Sequence, residues 1–172
     1  MQIAIVGGGA TGVLSALHLS RALCQQAVQI VVIEPAEVIG KGVAYATDDP
    51  RHLLNVRVAN MGEFTDQPDH LLQWLKREGP ARGIAEPTPC CFISRGVYGA
   101  YLADIGQKLL ISGAIRHVRE RCINLTDNGH VVELALASGK KSWLRWWCWQ
   151  QATIVSTAFP GFPQFSPGQK AR

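Results

Sequence analysis

Residues 3–12 read IAIVGGGATG, a short apolar run that stops at three consecutive glycines. Residues 2–6 have the β-branched, apolar composition of a buried strand, which the glycines end. The stretch from Ala10 to Leu23 has apolar residues at helical spacing, and residues 28–33 (VQIVVI) form a second, almost continuously apolar run. Continuous apolarity is typical of a strand that is buried on both faces of a parallel sheet. Strand, glycine turn, helix and strand together predict a βαβ unit.

The glycines of this unit have the spacing G-x-G-x-x-G, formed by Gly7, Gly9 and Gly12. Gly7 permits a tight turn, Gly9 has no side chain to keep a diphosphate away from the backbone, and Gly12 lets the helix pack closely on the strands. The helix start also presents unpaired N–H groups and a partial positive charge. We therefore predict a diphosphate cradle for a dinucleotide. Its residues are Gly7, Gly8, Gly9, Ala10, Thr11 and Gly12.

Glu34 ends the second predicted strand, 22 residues after Gly12. A carboxylate at this place accepts hydrogen bonds from the ribose hydroxyls of an adenosine. Pro35 and Ala36 follow, and neither can bind a 2′-phosphate, so the cradle favours FAD or NAD over NADP. The alternative interpretation is a glycine-rich turn that serves only packing.

The composition of the chain excludes several functional classes. It has 172 residues, of which 47% are apolar and 17% charged, which is typical of one globular domain with its own core. The net charge of +4 is small and scattered, which argues against a nucleic-acid partner. Five scattered cysteines without C-x-x-C spacing predict reduced thiols in the cytoplasm, with neither a disulfide framework nor a metal site. No apolar run is long enough to span a membrane.

Beyond the βαβ unit, the sequence pattern predicts an ordered loop region over residues 34–63. Helices are predicted for residues 68–77 and 97–111. Two strands are predicted for residues 114–126 and 130–137, joined by the turn signal DNG.

Four stretches resemble the N-terminal part of the FAD/NAD(P)-binding oxidoreductases that are grouped with FAD-dependent urate hydroxylases and aspartate N-monooxygenases. They are IAIVGGGATG (3–12), VVIEP (31–35), GKGVAYATDDPRHLLNV (40–56) and RGVYGAYL (95–102). The resemblance implies an α/β, Rossmann-type, doubly wound FAD/NAD(P)-binding domain over residues 1–142, incomplete at its C-terminal side. It also implies FAD as the cofactor, NAD(P)H as the electron donor of a complete family member, and monooxygenase chemistry carried by the flavin.

The resemblance implies further cofactor-binding residues after the second strand. Pro35, which directly follows Glu34, is counted among them, while Gly40, Gly42 and Tyr45 would lie near the FAD diphosphate or the flavin. Asn55 would face the isoalloxazine ring. A plain surface loop is the alternative for this stretch.

Three more polar residues have two open interpretations each. His52 is either structural or close to the flavin. Arg95 and Tyr98 either contact a cofactor phosphate or substrate anion, or are a solvated arginine and a packing tyrosine. No nucleophile–base pair or carboxylate pair stands out, so no catalytic residue is predicted.

Two other functional classes stay open. An NAD-dependent dehydrogenase would use the same cradle. A non-catalytic remnant or interaction module would suit the short chain, in which the later parts of the family pattern are missing.

Residues 143–149 read WLRWWCW and hold four of the five tryptophans. The resemblance implies a buried strand of the type VVLATG at this place. Tryptophan has the single codon TGG, so the cluster fixes most of its own DNA sequence. Reading triplets from the third base of the Trp146 codon, up to the first two bases of the Ala152 codon, gives Val-Val-Leu-Ala-(Thr/Ala)-(Gly/Ser). We therefore predict a frameshift between about Lys140 and Trp146, with residues 143–172 as out-of-frame translation. The alternative is a genuine tail whose tryptophans pack on the sheet or bind a partner.

This interpretation of the tail has a consequence for the cofactor. Without the last buried strand, no glycine backbone comes close to FAD at that position. We therefore expect the chain as it stands to bind FAD poorly and to be inactive alone.

Overall fold

A computed structural model of the chain describes residues 2–127, 132–144, 147–148 and 153–156. The α-helices in this part of the chain are α1 (Ala10–Ala22), α2 (His70–Glu78) and α3 (Arg95–Ile111). The strands are β1 (Gln2–Val6), β2 (Gln29–Ile33), β3 (Ile115–Val118), β4 (Cys122–Asp127), β5 (Val132–Leu136), β6 (Lys141–Leu144), β7 (Trp147–Cys148) and β8 (Thr153–Ser156). Short 3-10 helices lie at Val58–Asn60 and Pro80–Arg82.

The predicted βαβ unit is confirmed. Strands β1 and β2 pair in parallel, with Gln2 opposite Gln29, and α1 connects them. Strand β3 continues the parallel sheet on the far side of β2, with Ile30 opposite Ile115. The strand order of the whole sheet is β3-β2-β1-β8-β7. The α/β, Rossmann-type class is therefore confirmed.

Both faces of this sheet are buried, as the continuous apolar runs predict. Ile5 and Val32 point to one face and pack in a core with α1, α2 and α3. Val31 and Ile33 point to the opposite face, where they pack with Leu134 and its neighbours on β5. The second face is thus covered by a small sheet of order β4-β5-β6.

The prediction of one strand over residues 114–126 was wrong, because this stretch forms two strands in different sheets. Strand β3 ends at Val118, whose carbonyl oxygen accepts a hydrogen bond from the N–H of Glu120 at 2.8 Å. The polar run Arg119–Arg121 lets the chain turn away from the parallel sheet and enter β4. The predicted hairpin pairing is confirmed, since Asp127 lies opposite Val132, but most of its turn lies outside the described residues.

The predicted helices are confirmed with shifted ends. Helix α3 begins two residues earlier than the pattern predicts, because the Ser94 side chain caps it by accepting a hydrogen bond from the N–H of Val97 at 3.3 Å. Residues 34–63 form a long irregular segment apart from the short 3-10 helix, as predicted. Among the described residues, no helix is long and apolar enough to cross a membrane.

Part of the tail forms two strands, and one of them lies beside β1. Strand β8 pairs antiparallel to β1, with Val6 opposite Thr153, and β7 pairs antiparallel to β8. The family resemblance implies a buried strand of the type VVLATG for this part of the chain. The Pro/Gly-rich end of the tail lies outside the described residues.

Candidate cofactor-binding site

The glycine loop between β1 and α1 makes a tight turn. Gly7 has a φ of 101°, a left-handed conformation that favours glycine, and its N–H donates to the carbonyl oxygen of Ile33 at 2.9 Å. A Cβ added at Gly12 would lie 1.9 Å from the carbonyl oxygen of Gly7. Both positions therefore need glycine for the turn and for the close packing of α1.

The start of α1 is open to an anion. Gly9 is its N-cap residue, no side chain caps the helix, and the first turn has no acidic residue. The first N–H groups of a helix have no partner within the helix. Ala10 is partly exposed and Thr11 is exposed. A phosphate is the ligand that such a helix start binds well, so this geometry fits the predicted cradle.

Glu34 lies at the carboxyl end of β2, directly beside the glycine loop. One carboxylate oxygen accepts a hydrogen bond from the N–H of Gly8 at 2.8 Å, and the other accepts one from the N–H of Ala36 at 3.0 Å. The Glu34 carbonyl oxygen lies 2.8 Å from Nε2 of His117 on β3. An ionised carboxylate has about four lone-pair sites, so Glu34 keeps the capacity to accept further donors. Pro35 is exposed next to it.

The segment after β2 crosses directly over the glycine loop. The N–H of Gly40 donates to the carbonyl oxygen of Gly8 at 2.6 Å. Gly42 has a φ of 56°, and a Cβ added there would lie 3.0 Å from the Cα of Gly9. The structure therefore brings Gly42 to the cradle, although the two glycines are far apart in the sequence.

Helix α3 carries the rest of this segment on three glycines, Gly96, Gly99 and Gly106, which we name the glycine face of α3. Along it the chain runs antiparallel to the helix, with Ile39 against Gly106, Tyr45 against Gly99 and Thr47 against Gly96. These contacts explain why the stretch RGVYGAYL accompanies the cradle. At 1.5 Å per residue, the glycine face is about 15 Å long.

Tyr45 packs on Tyr98 of α3 in an edge-to-face arrangement with the ring centroids 5.0 Å apart. Tyr98 is 2% exposed, and its hydroxyl donates to Glu63. Such burial fits the interpretation of Tyr98 as a packing residue. Tyr45 itself is partly buried.

Asn55 lies beyond the far end of the glycine face. The chain around Leu53 pairs with the residues at the start of α3. The N–H of Leu54 donates to the carbonyl oxygen of Ile93, and the N–H of Arg95 donates to the carbonyl oxygen of His52. Leu54 and Ile93 are buried beneath this pairing, whereas Asn55 is exposed. The cradle and Asn55 thus lie towards opposite ends of one segment.

His52 and Arg95 have the surroundings of structural and solvated residues. Nδ1 of His52 lies 2.9 Å from the Thr47 hydroxyl, and its Nε2 lies 3.9 Å from a carboxylate oxygen of Asp49. Arg95 is exposed at the start of α3.

Sequence reasoning missed Glu63. Burial raises the pKa of this carboxyl to about 6. It lies in a segment predicted only as a loop, and a single glutamate there gives no sequence signal. The structure places it against Tyr98, 35 residues away in the sequence. No group of three or more metal-ligating side chains is found among the described residues.

Comparison with known proteins agrees with this geometry. Residues 4–145 match the model of a family described as FAD-NAD(P)-binding. No curated protein sequence matches the chain significantly. The fold is similar to that of the Diels-Alderase PyrE3 of pyrroindomycin biosynthesis, with 14% identity, a TM-score of 0.54, and coverage of 84% of this chain and 31% of that chain.

Two further solved structures are similar at low sequence identity. The protein FqzB has 12% identity and a TM-score of 0.52, with coverage of 83% of this chain and 34% of that chain. A flavin-containing monooxygenase from Stenotrophomonas maltophilia has 17% identity and a TM-score of 0.48, with coverage of 81% of this chain and 35% of that chain. The chain therefore spans about a third of the length of the structures it matches.

Proposed function

The chain belongs to the FAD-NAD(P)-binding family, and on that premise we propose that it forms the FAD-binding part of a flavin-dependent oxidoreductase. The observation that carries the proposal is the meeting of an uncapped helix start with Gly42 and Glu34. A diphosphate needs backbone N–H donors without side chains in the way, and an adenosine ribose needs an acceptor beside them.

Each part of the chain has its own role in this proposal. The free N–H groups at the start of α1, from Ala10 to Gly12, bind the diphosphate on the turn that Gly7–Gly9 form. Glu34 accepts the ribose hydroxyls, with Pro35 bordering the adenosine. Gly42 lets the backbone come close to the diphosphate. Tyr45 and Asn55 lie on the flavin side. Bound FAD supplies the redox chemistry, while these residues hold and orient it.

We further propose that the complete protein is an NAD(P)H-dependent monooxygenase of the group that includes urate hydroxylases and aspartate N-monooxygenases. The support is the resemblance over residues 40–56 and 95–102, the two stretches that meet on the glycine face of α3. An NAD-dependent dehydrogenase is the competing function, since the cradle by itself serves either dinucleotide.

Equilibrium dialysis of the full chain against FAD and against NAD tests the proposal. Because of the tail we expect FAD binding by this chain to be weak but saturable, and NAD binding to be weaker still. The informative variant is Gly9→Ala, because a Cβ there makes only an ordinary 3.4 Å contact with Gly42, yet it adds a methyl group at the N-cap of the helix start that we propose for the diphosphate. The variant should keep the melting temperature and lose FAD affinity.

The matched control is Gln107→Ala, on an exposed position of α3, which should change neither property. Tighter binding of NAD than of FAD would support the dehydrogenase instead. Absence of binding by both dinucleotides would contradict the cradle assignment itself.

A further inference from the structure

Glu63 is a half-buried carboxyl that the proposed FAD site does not use. It accepts a hydrogen bond from the hydroxyl of Tyr98, which is almost fully buried. A buried hydroxyl needs such a partner, so Glu63 fixes the orientation of the Tyr98 ring. On its exposed side, Glu63 lines an open depression of about 620 Å³ together with Thr11 and His18 of α1.

The Tyr98 ring in turn fixes Tyr45. Its centroid lies 5.0 Å from that of Tyr45 at an interplanar angle of 70°, which is a favourable edge-to-face contact. The backbone of Tyr45 lies against Gly99, so the main chain has no freedom to move closer to α3. The position of the Tyr45 ring is therefore set by its contact with the Tyr98 ring.

We propose that Glu63 is a positioning residue, which sets the ring of Tyr45 on the flavin side of the FAD site by holding Tyr98. The inference rests on the proposed FAD function for its consequence. The coupling from Glu63 through Tyr98 to Tyr45 is a property of the free chain. It can therefore be tested without any cofactor.

Protonation of Glu63 changes the strength of its hydrogen bond with the Tyr98 hydroxyl. An ionised carboxylate accepts a stronger hydrogen bond from a hydroxyl than a neutral carboxyl does. The groups that face it are the hydroxyls of Tyr98 and Tyr101 from α3. The imidazole of His18 from α1 lines the same depression. Burial raises the pKa of Glu63 to about 6, so the change falls near neutral pH.

Fluorine NMR of chain labelled with fluorotyrosine tests the coupling directly, because the chain has only three tyrosines. We expect the Tyr45 signal to shift in Tyr98→Phe and Glu63→Ala, and less in Glu63→Gln, which keeps an acceptor. In the wild-type chain the Tyr98 and Tyr45 signals should titrate between about pH 5 and pH 7, and Glu63→Gln should abolish this titration.

The matched control is Ser112→Ala. It also removes a hydroxyl hydrogen bond on α3, to the carbonyl oxygen of Leu109 at 3.1 Å, but Ser112 lies at the opposite end of the helix from Tyr98. We expect this variant to leave the Tyr45 signal in place. A Tyr45 signal that moves equally in the control, or that ignores Glu63→Ala, would overturn the inference.

Binding of FAD and of ADP then tests the consequence. Because the Tyr45 ring lies on the flavin side, Glu63→Ala and Tyr98→Phe should weaken FAD about fivefold and leave ADP unchanged, and Glu63→Gln should restore most of the loss. Equal losses for FAD and ADP would mean a merely structural role. If the wild-type chain binds no FAD while the fluorine signals respond as expected, the proposed function fails and the coupling stands.

Discussion

The carbonyl oxygen of Tyr45 occupies the space beside Gly99 so closely that a Cβ on residue 99 would lie 2.2 Å away from it. The loop after β2 and helix α3 are therefore in backbone contact at this point. This contact fixes the distance between the Tyr45 backbone and the helix. It also explains why the stretch RGVYGAYL accompanies the loop after β2 in the family resemblance.

The variant Gly99→Ala tests this contact. An alanine in a helix interior normally stabilises by about 1 kcal/mol relative to glycine. Here we expect the opposite sign, a loss of about 1 to 3 kcal/mol, because the added Cβ overlaps a backbone oxygen that cannot rotate away. Chemical denaturation measures the change, with Gln107→Ala as an exposed α3 control. An unchanged or increased stability would show that the loop can move away without cost.

The variant Glu34→Ala should weaken FAD binding about tenfold, because a charged acceptor contributes about 1.5 kcal/mol or more to a hydrogen bond. Glu34→Gln should lose less, since its amide oxygen still accepts one donor. Isothermal titration with FAD and with riboflavin, which has no adenosine, separates the roles. If riboflavin loses as much affinity as FAD, Glu34 does not act on the ribose of the adenosine.

Glu63 should give the folding stability a defined pH dependence. Burial raises its folded-state pKa from 4.5 to about 6. The folded chain thus binds this proton more tightly than the unfolded chain, so the stabilisation is present below about pH 4.5 and is lost as the pH rises through 6. Because the carboxyl is half-exposed, solvent screening reduces the effect to about 1 kcal/mol or less.

Urea denaturation of the wild type and of Glu63→Gln between about pH 4.5 and pH 7 measures this difference. The wild type should lose stability relative to the variant across this window. Asp49→Asn is the control, since the pKa of Asp49 is lowered to about 2 by its hydrogen bonds with Arg51. Its stabilisation is lost only at lower pH. Parallel curves for the wild type and Glu63→Gln would contradict the assigned pKa.

We propose that the tail beyond about residue 142 is out-of-frame translation. Sequencing the DNA through the codons for Gly139 to Thr153 and onward tests this, and we expect a shifted frame that encodes a Val-Val-Leu-Ala strand. Intact-mass analysis of natively expressed protein is the second measurement. A confirmed reading frame without such a strand downstream would make the tryptophans genuine. Stoichiometric FAD in purified 172-residue chain would contradict the weak binding expected from the tail.

Local rules were enough to predict the first half of the site. Strand β1, helix α1 and strand β2 follow from runs of apolar residues and from three glycines, and their ends agree with the pattern within two residues. The place of Glu34 follows from the same unit, because the carboxyl ends of neighbouring parallel strands meet at one edge of the sheet. Its contact with Gly8 lies at this edge.

Other features depend on contacts between distant parts of the chain. The break between β3 and β4 arises because the residues before the polar run pair with β2, whereas the residues after it pair with β5 in the other sheet. A local sequence pattern does not show with which strand each part will pair. The meeting of Glu63 with Tyr98 depends on how the loop folds over α3.

The sequence by itself thus determined the βαβ unit, the cradle and the acid at the end of β2, since backbone sterics and burial act there over a few residues. The tertiary structure alone decided that the glycine face of α3 carries Tyr45 and that Glu63 holds Tyr98. It also brings Gly42 into backbone contact with Gly9, at the place that the family resemblance implies. These contacts join residues 33 to 54 positions apart. Packing of the whole domain, and not local preference, brings them together.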